Sequence, residues 1–506
     1  MDKTHRTILR HVGHTLRVGR VRSDRLLRGC FPAVVFVFAS ASANGAPDGP
    51  PSTKNTAPAK PHPRVIVHGK PKALSVGAVT HDWPTLLGPT HDGISTETKL
   101  ATRWAKEGPK LIWEMEKGSG FSSPAVMGDR VVFFHRMGDE EIVECLQTET
   151  GQRYWSVRYP SAYEDRYGFN NGPRGSPVID DNLVFTLGAE GKLHCIDLLT
   201  GEIVWQLDTK TRFNVPKNYF GVGSTPLVHE DRLIVQVGGD GGPCAVAFDK
   251  RTGKLLWQSG DQWRASYASP IPAVIHGAAR IAVFAGGDVR PPTGGLLLID
   301  PTDGGIDWRF PFRGKRYESI NAANPVVVGN RIFLTTSYGT GAVLLEAPKT
   351  GEPKVVWKTD ALGCHFATPI HKDGFLYGID EPRSGGSAVV CIDLKDGKEV
   401  WRNQPTWEEA IPQNGKITKR VLGVFRGSLM RVDPLFLCLG EWGHLLWLDL
   451  SPDGYKQVSR AWLFAANESW TPPALSKGLL YVVQNTRDIT TGKPPRLLCY
   501  DLRADH

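Results

Sequence analysis

This sequence lacks the features that mark membrane spans and covalent haem attachment. An uncharged apolar run, Phe31 to Ala39, is too short to cross a bilayer as a helix. No two of the eight cysteines are adjacent, and no C-x-x-C-H motif occurs. We therefore expect no transmembrane segment and no c-type haem domain.

Positive charge is also scarce once the N-terminal part of the chain is set aside. Residues 1–43 carry eight Lys or Arg residues against two Asp, which accounts for six of the eight net positive charges. The stretch 44–81 adds five Lys or Arg against one Asp, so residues 82–506 are close to neutral. Nucleic-acid-binding domains carry a basic footprint, so we expect no nucleic-acid partner.

The N-terminal residues have the layout of a secretory signal. A basic stretch leads into the apolar run, and an A-x-A cleavage motif ends at Ala43. We predict a signal peptide over residues 1–43 and a periplasmic or secreted mature protein. Cys30 precedes the apolar run instead of following it, so no lipid anchor is predicted. Residues 44–81 are rich in proline without an apolar period, which predicts a disordered linker.

Glycine and proline are abundant, with 55 and 37 residues, as suits short strands joined by frequent turns. One template, apolar-Asp-x-x-Thr/Asp-Gly-x-x-x-Trp, recurs along the chain. Its clearest copies are 146–155, 196–205, 248–257, 299–308 and 392–401. With looser copies, the repeated tryptophans are Trp113, Trp155, Trp205, Trp257, Trp308, Trp357, Trp401 and Trp462, which stand 42 to 61 residues apart.

A second element, a small residue followed by proline, recurs between these tryptophans, as in SSPAV (122–126), GSPVI (175–179) and ATPI (367–370). Proline is tolerated at the first residue of a strand, and the glycine of the Thr-Gly turn reaches positive φ. Each unit therefore predicts four antiparallel strands, with the tryptophan on the outermost. Eight units packed radially bury both faces of every sheet.

The two ends of the repeat array complement each other. The last unit runs out at His506 without an outer strand, whereas Trp113 lies on an outer strand with no unit before it. Pairing the two would remove a free sheet edge. We predict an all-β, eight-bladed β-propeller over residues 82–506, with its last blade closed by an N-terminal strand.

These repeats resemble the tryptophan-docking motif of the PQQ dehydrogenase-like propellers, a superfamily that includes quinoprotein alcohol dehydrogenases and the outer-membrane assembly lipoprotein BamB. The resemblance covers about residues 82–506. The opening DWPTLLGPTHDGIS is similar to a segment that precedes the repeats in many bacterial members. The resemblance implies that the repeated tryptophans pack between blades, and it is specific for fold and not for function.

The resemblance also implies what a dehydrogenase of this type would need. Such enzymes hold PQQ with Ca²⁺ between aromatic faces and use an Asp as base, and many stack a Cys-Cys disulfide on the cofactor. This sequence has no Cys-Cys pair, and no motif identifies calcium ligands or a catalytic Asp. The segment 300–307 lies on the repeat template, so we predict no metal site there.

Four cysteines, Cys145, Cys195, Cys391 and Cys499, occupy the same position of the repeat. Equivalent positions on neighbouring blades are about 10 Å apart, whereas a disulfide needs Cα atoms within about 7 Å. We therefore expect buried free thiols.

The loops before the inner strands open onto a central funnel, where aromatic, Arg and Asn side chains could hold a small molecule. Arginines would favour an anionic or carbonyl-bearing ligand. The alternative is that these side chains only fill and hydrogen-bond a crowded centre. The candidate ligand-binding residues are Tyr167, Asn171, Arg174, Tyr219, Tyr267, Arg316, Tyr317, Asn321, His365, Arg426, Glu468 and Trp470.

We therefore expect a monomeric, non-catalytic binding or protein-interaction scaffold similar to BamB. Its partners would be other envelope proteins or a small molecule. A PQQ-dependent alcohol or sugar dehydrogenase with calcium is the alternative, and another enzymatic or carbohydrate-related role stays open. The sequence assigns no catalytic residue and no metal ligand.

Overall fold

Antiparallel sheets dominate the computed structural model, which describes residues 58–383, 386–413 and 416–505. Eight sheets are the blades of a β-propeller, each with four antiparallel strands. The predicted eight-bladed fold is therefore confirmed. The predicted signal peptide, residues 1–43, and the first part of the predicted linker lie outside the described residues.

Three short strands precede the first complete blade, and the first four blades follow in chain order. The leading strands are β1 (Val65–Val67), β2 (Ile94–Ser95) and β3 (Lys110–Glu116). Blade 1 contains β4 (Ala125–Met127), β5 (Arg130–Met137), β6 (Glu140–Gln147) and β7 (Arg153–Pro160), and blade 2 contains β8 (Val178–Asp180), β9 (Leu183–Leu187), β10 (Lys192–Asp197) and β11 (Ile203–Asp208). Helix α1 (Thr209–Phe213) follows blade 2. Blade 3 contains β12 (Leu227–His229), β13 (Arg232–Gln236), β14 (Ala245–Asp249) and β15 (Leu255–Ser259), and blade 4 contains β16 (Ile271–Ile275), β17 (Ala278–Ala285), β18 (Gly295–Ile299) and β19 (Ile306–Pro311).

The other four blades contain one insertion, a two-stranded hairpin between blades 6 and 7. Blade 5 contains β20 (Val326–Val328), β21 (Arg331–Thr336), β22 (Gly341–Glu346) and β23 (Lys354–Thr359), and blade 6 contains β24 (Ile370–Lys372), β25 (Phe375–Arg383), β26 (Gly386–Asp393) and β27 (Glu399–Asn403). The inserted hairpin consists of β28 (Thr406–Gln413) and β29 (Lys416–Gly423). Blade 7 contains β30 (Ser428–Val432), β31 (Leu435–Leu439), β32 (His444–Ser451) and β33 (Gly454–Trp462), and the last repeat supplies β34 (Ala474–Ser476), β35 (Leu479–Gln484) and β36 (Arg496–Asp501) to blade 8. The 61-residue gap between Trp401 and Trp462 is the sequence trace of this insertion.

The ring closes in blade 8, as predicted. Strand β3 pairs antiparallel with β36, and Trp113 lies opposite Cys499. Strand β1 then adds a fifth strand outside β3, with Ile66 opposite Glu114. An N-terminal strand thus supplies the outer position that the C-terminal repeat lacks.

The prediction of a disordered linker was wrong for residues 58–81. Strand β1 pairs with β3, and Arg64 Nη2 binds both carboxylate oxygens of the buried Glu144 at 2.9 Å. The partners of this segment lie in distant parts of the chain, so its composition alone could not reveal them. Residues 44–57 lie outside the described part of the chain.

Six of the eight repeated tryptophans donate a hydrogen bond to the next blade, whereas Trp308 Nε1 has no hydrogen-bond partner among the described residues. Trp155 Nε1 donates to the Leu198 carbonyl of blade 2 at 2.8 Å, and the indole covers Gly201. A Cβ on Gly201 would stand 2.7 Å from the ring, and its φ of +77° also requires glycine. Trp113, Trp205, Trp257, Trp357 and Trp401 donate in the same way to Thr148, Lys250, Pro301, Leu394 and Ser451 at 2.8–3.0 Å.

The template does not hold in blade 7. Trp462 Nε1 donates to the Trp442 carbonyl within its own blade, at 2.8 Å. Trp447 of β32 instead reaches Ala101 at 3.1 Å, in the segment that leads to β3. The looser copy ending at Trp462 therefore marks the outer strand without docking on the next blade.

A second set of bonds, here called the inner belt, links the starts of the inner strands. In each step the backbone N–H of one blade donates to a side-chain oxygen of the next, at 2.7–3.1 Å. The belt runs through Ser123, Ser176, Thr225, Ser269, Asn324 and Thr368. Because each of these residues precedes proline, the small-residue-proline element both starts a strand and ties neighbouring blades together.

The segment before β3 crosses the central channel. Trp83 pairs with Val126 of blade 1, Leu87 packs against Ile271 of blade 4, and β2 pairs in parallel with β30 of blade 7. These blades lie on different sides of the ring. The crossing segment therefore forms a floor under the funnel.

The four repeat cysteines, Cys145, Cys195, Cys391 and Cys499, are buried free thiols, as predicted. Within the described part of the chain, no helix has both the length and the apolar character needed to cross a membrane.

Candidate functional site

The loops before the inner strands surround an open cavity of about 510 Å³, here called the funnel cavity. Its size is typical of a small-molecule pocket. Seven of the twelve predicted residues line it: Tyr167, Arg174, Tyr267, Arg316, His365, Arg426 and Trp470. The radial arrangement of blades brings these residues together from six separate loops.

Three other predicted residues lie behind the wall and support it. Asn321 is fully buried and donates to the carbonyls of Ala285 and Phe312 at 2.8 and 3.1 Å. The Tyr219 hydroxyl donates to the Tyr317 carbonyl at 2.5 Å. The Tyr317 hydroxyl in turn binds Asp288 at 2.6 Å. Their polar atoms therefore hold loops in place and do not line the cavity.

Asn171 and Glu468 also lie outside the lining. The Asn171 side-chain oxygen accepts from the Asp165 N–H at 2.9 Å. The Glu468 carbonyl accepts from Trp470 N–H at 2.7 Å in a tight turn, with Glu468 at a φ of +59°. Burial, followed by the nearby charge of Glu441, raises the pKa of Glu468. Glu468 thus shapes the loop that presents Trp470.

Sequence reasoning missed much of the apolar lining. The floor comes from Leu86 and Leu87, far from the repeats in sequence. The walls include Phe121, Phe169, Phe220 and Phe366. Phe169, Phe220 and Phe366 lie within two residues of the predicted residues Tyr167, Tyr219 and His365, but a phenylalanine has no polar atom that would mark it as a ligand contact in the sequence.

The aromatic rings of the lining form one connected set. Trp470 stacks on Phe121 with ring centroids 5.3 Å apart, and the Phe366 ring lies 5.1 Å from Trp470. Phe169 lies 6.3 Å from Trp470 and 6.0 Å from Phe220, whose ring is 5.2 Å from Tyr167. Such walls offer flat apolar faces to a ring-bearing ligand.

Tyr267 forms part of the wall of the funnel cavity and is not placed to transfer protons. Its hydroxyl oxygen accepts the Phe220 N–H at 2.7 Å. Burial raises the pKa of Tyr267 far above its usual range. The phenol therefore stays protonated at any physiological pH.

The three lining arginines have different surroundings. Arg174 Nη2 binds the buried Asp165 at 2.5 Å. Arg426 Nη1 lies 3.8 Å from Glu441. Arg316 is exposed at the mouth, and its guanidinium makes no hydrogen bond or ion pair with the described residues. Arg174 is thus a structural group, and Arg316 is available to a ligand.

Two polar atoms on the wall have no hydrogen-bond partner among the described residues: Ser428 Oγ and Trp470 Nε1. Ser428 is only 5% exposed. Buried polar atoms are nearly always satisfied, and exceptions need an explanation. Both residues belong to the lining of the funnel cavity, but each of these two atoms is itself covered by neighbouring groups and has almost no accessible surface.

Three of the residues in or beside the lining loops have left-handed backbone conformations. Tyr338, Phe425 and Glu468 have φ values of +64°, +45° and +59°, which bulky residues rarely adopt. Tyr338 lines the cavity and hydrogen-bonds His365 at 2.8 Å, and Phe425 precedes Arg426. Such strain is typical of ligand sites that the surrounding structure holds in place.

The residues present do not fit PQQ with calcium. In the described part of the chain, no group of three or more His, Cys, Asp or Glu side chains is placed so that it could hold a metal ion. The carboxylate in the described lining is Glu318, and the Asn324 oxygen is already bonded to the Ser269 N–H. Calcium takes six to eight oxygen ligands, which this wall does not offer.

Comparisons with known proteins match the repeat region. The sequence pattern of the family described as outer membrane protein assembly factor BamB matches residues 139–403, just over half of the chain. BamB of Burkholderia pseudomallei (strain K96243) is 26% identical over 196 residues, covering 38% of this chain and 44% of that protein.

A dehydrogenase matches over a similar region. The dehydrogenase subunit of the quinone alcohol dehydrogenase of Gluconacetobacter polyoxogenes is 27% identical over 256 residues, covering 47% of this chain and 33% of that subunit. This chain thus spans about a third of the length of that curated relative. Among solved structures, a europium-containing methanol dehydrogenase has a TM-score of 0.60 at 11% identity, covering 83% of this chain and 98% of that one. At that identity the likeness shows the fold alone.

Proposed function

The chain belongs to the family described as outer membrane protein assembly factor BamB, and from that premise we propose that it is an exported, non-catalytic binding protein whose ligand site is the funnel cavity. The carrying observation is the open cavity of about 510 Å³ at the centre of the ring, whose lining includes Trp470, Phe220 and Arg316. A centre that was only packed would leave no open volume of this size.

Export is supported by the sequence alone. The basic stretch, the apolar run and the A-x-A motif ending at Ala43 form a signal pattern. Mass spectrometry of the mature N-terminus tests it. A protein that begins shortly after Ala43 is expected, and an intact Met1 in cytosolic protein would contradict export.

Other envelope proteins are the proposed macromolecular partners. The BamB relative is named as an outer membrane protein assembly factor, and family membership carries that role here only as a proposal. The inserted hairpin supports it, because Ile417 and Val421 on β29 are 76% and 66% exposed. Neighbouring exposed apolar side chains on an inserted hairpin are typical of interaction surfaces.

A PQQ-dependent dehydrogenase is the second candidate, favoured by the alcohol dehydrogenase relatives. Those relatives match over part of their length, and the described residues hold no group of three or more His, Cys, Asp or Glu side chains that could bind a metal ion. We therefore expect no alcohol- or sugar-dependent dye reduction when the purified chain is mixed with PQQ and Ca²⁺. A dissociation constant below micromolar together with such turnover would establish the enzyme.

Binding is tested with the neutral fluorescent probe N-phenyl-1-naphthylamine. We expect one saturable site that Trp470→Ala and Phe220→Ala each weaken by about tenfold, since each removes a ring face. Tyr154→Ala, an aromatic change on the outer strand β7, is the matched control and should bind as the parent chain does. No saturable binding, or equal binding by all four proteins, would contradict the proposed site.

A further inference from the structure

We propose that a groove on the outer edge of blade 1 binds a phosphate-bearing group. The groove has a volume of about 410 Å³ and is here called the β7 groove. It is lined by Lys60, Arg153, Tyr154, Trp155, Ser156 and Arg158. The lining of the funnel cavity consists of other residues, so the two sites are separate and either can exist without the other.

The backbone places two cations side by side at one end of the β7 groove. Strand β7 is the outermost strand of blade 1, and Lys60 of the N-terminal segment forms a bridge with Arg153 on its edge. Lys60 N–H donates to the Arg153 carbonyl at 2.9 Å, and Arg153 N–H donates to the Lys60 carbonyl at 2.8 Å. Residues directly opposite in an antiparallel pair have side chains on the same face, with Cβ atoms about 5 Å apart.

The charged side chains of the described lining are all cationic, namely Lys60, Arg153 and Arg158. Like charges directly opposite each other destabilise a strand pair, so the pairing of Lys60 with Arg153 has a cost in stability. Residues that are retained at a cost in stability are typical of functional sites. An anion bound in the groove would turn the repulsion between these cations into attraction to a common partner.

The buried acid beside Arg153 already has its partners. Both oxygens of Glu144 accept from Arg64 Nη2 at 2.9 Å, and the rings of His62 and His135 lie 3.1 and 3.3 Å from them. Arg153 Nη1 is 3.9 Å from the same carboxylate, which is too far for a hydrogen bond. The Arg153 side chain is 34% exposed, so its guanidinium can donate to a ligand in the groove.

The other two cations are also accessible to a ligand. Arg158 Nη1 is 3.4 Å from Glu140, and both side chains of this pair are nearly half exposed. Exposed pairs of this kind contribute little energy, so a stronger acceptor can replace Glu140. Lys60 is exposed, and its ammonium makes no ion pair with another described residue.

A phosphate group matches three cations better than a carboxylate does. A phosphate monoester carries about 1.5 to 2 negative charges at pH 7 and three strong acceptor oxygens. A guanidinium can bind two such oxygens at once, and a lysine ammonium adds a compact positive charge. Free phosphate, a soluble phosphate ester and the headgroup of a phosphorylated lipid share this chemistry.

Calorimetry with the full purified chain tests the ligand class by comparing inorganic phosphate with acetate at pH 7 and constant ionic strength. We expect phosphate to bind at least about tenfold more tightly, because it carries more charge and more acceptor oxygens. Added salt should weaken the binding, since exposed charges are screened. Equal affinity for the two anions, or no binding of phosphate, would overturn the proposal.

Two variants and a control locate the site. Lys60→Gln and Arg158→Gln should each weaken phosphate binding by about fivefold, and together by at least about twentyfold. Both side chains are exposed, so the melting temperatures should match that of the parent chain. Arg309→Gln is the matched control, because Arg309 lies on the outer strand of blade 4, 3.8 Å from Asp261, and outside the groove. Equal phosphate affinity in all of these variants would overturn the β7 groove as the site.

The source of the phosphate is identified with two further probes, glycerol 3-phosphate and phosphatidylcholine vesicles with or without phosphatidic acid. Recruitment of the chain only to vesicles that contain phosphatidic acid, and its loss in the double variant, would support a lipid headgroup. Tighter binding of glycerol 3-phosphate than of inorganic phosphate would support a soluble ester, and the reverse order would support the free anion. Recruitment that the double variant retains would contradict a role for the groove at lipid surfaces.

Discussion

The Arg174 guanidinium binds the Asp165 carboxylate with Nη2 2.5 Å from Oδ2, and neither side chain is more than 10% exposed. Arg174 Nη2 also donates to the Asn170 carbonyl at 3.0 Å, so the pair fixes the loop that carries Tyr167 into the cavity. Arg316, on the same cavity, has no such partner among the described residues. The sequence gives no sign of this difference between Arg174 and Arg316, of which only Arg174 holds a loop in place.

Replacing the two arginines should separate stability from binding. Arg174→Ala leaves a buried carboxylate without its charge partner, and we expect it to lower the free energy of unfolding by about 3 kcal/mol. Arg316→Ala removes an exposed side chain and should stay within about 0.5 kcal/mol of the parent. Thermal unfolding of both variants checks this. A stable Arg174→Ala protein would contradict the structural role of the pair.

Tryptophan docking makes a specific demand on glycine. Gly201→Ala places a methyl group against the Trp155 indole, whereas Gly277, at a similar φ of +82°, has nothing within 4 Å of its Cβ position. Both changes carry the cost of a left-handed alanine, about 1–2 kcal/mol. We expect Gly201→Ala to cost about 1–3 kcal/mol more because of overpacking. Equal melting temperatures for the two variants would show that the indole contact is dispensable.

The N-terminal segment is held by a buried acid. Burial alone would raise the pKa of Glu144, but hydrogen bonds from His135 and His62 and the charge of Arg64 outweigh it and hold that pKa well below its usual value of 4.5. A carboxyl with a lowered folded pKa stabilises the protein fully above its unfolded pKa. That stabilisation is lost as pH falls below about 4.5 toward the folded pKa.

Glu144→Gln should therefore destabilise the protein at pH 7 by about 3 kcal/mol, with the difference from the parent shrinking between pH 5 and pH 3. Melting temperatures measured across that range provide the check. Glu140→Gln, on the same strand in a half-exposed pair with Arg158, is the control and should show little difference at any pH. A pH-independent loss in Glu144→Gln would rule out the ionic role of the cluster.

Local repetition explains why the propeller could be predicted from sequence. The Thr-Gly turn and the tryptophan lie within ten residues of each other in the sequence. Each copy therefore shows both the turn on which one tryptophan docks and the strand that carries the next tryptophan. The closing strand was predictable because Trp113 repeats that signal. Residues 58–81 carry no such local signal, because their contacts are made with parts of the chain that are distant in sequence. Arg64 binds an acid 80 residues away, and β1 is only three residues long.

The funnel was predictable in position but only partly in composition. Which loops meet at the axis follows from the repeat, so Trp470 and Tyr267 could be placed there. Which atom of a loop faces the cavity depends on local turns, which is why Asn321 lies behind the wall. Leu86 lies on the floor of the funnel cavity because the segment before β3 crosses the central channel, and the repeat pattern does not predict that crossing.

A crystal structure of the chain soaked with N-phenyl-1-naphthylamine would show whether the funnel cavity is a ligand site. We expect ring density inside the funnel cavity, in contact with Trp470 or Phe220. Density confined to the outer surface, with none in the funnel cavity at a saturating concentration of the probe, would contradict the proposed site.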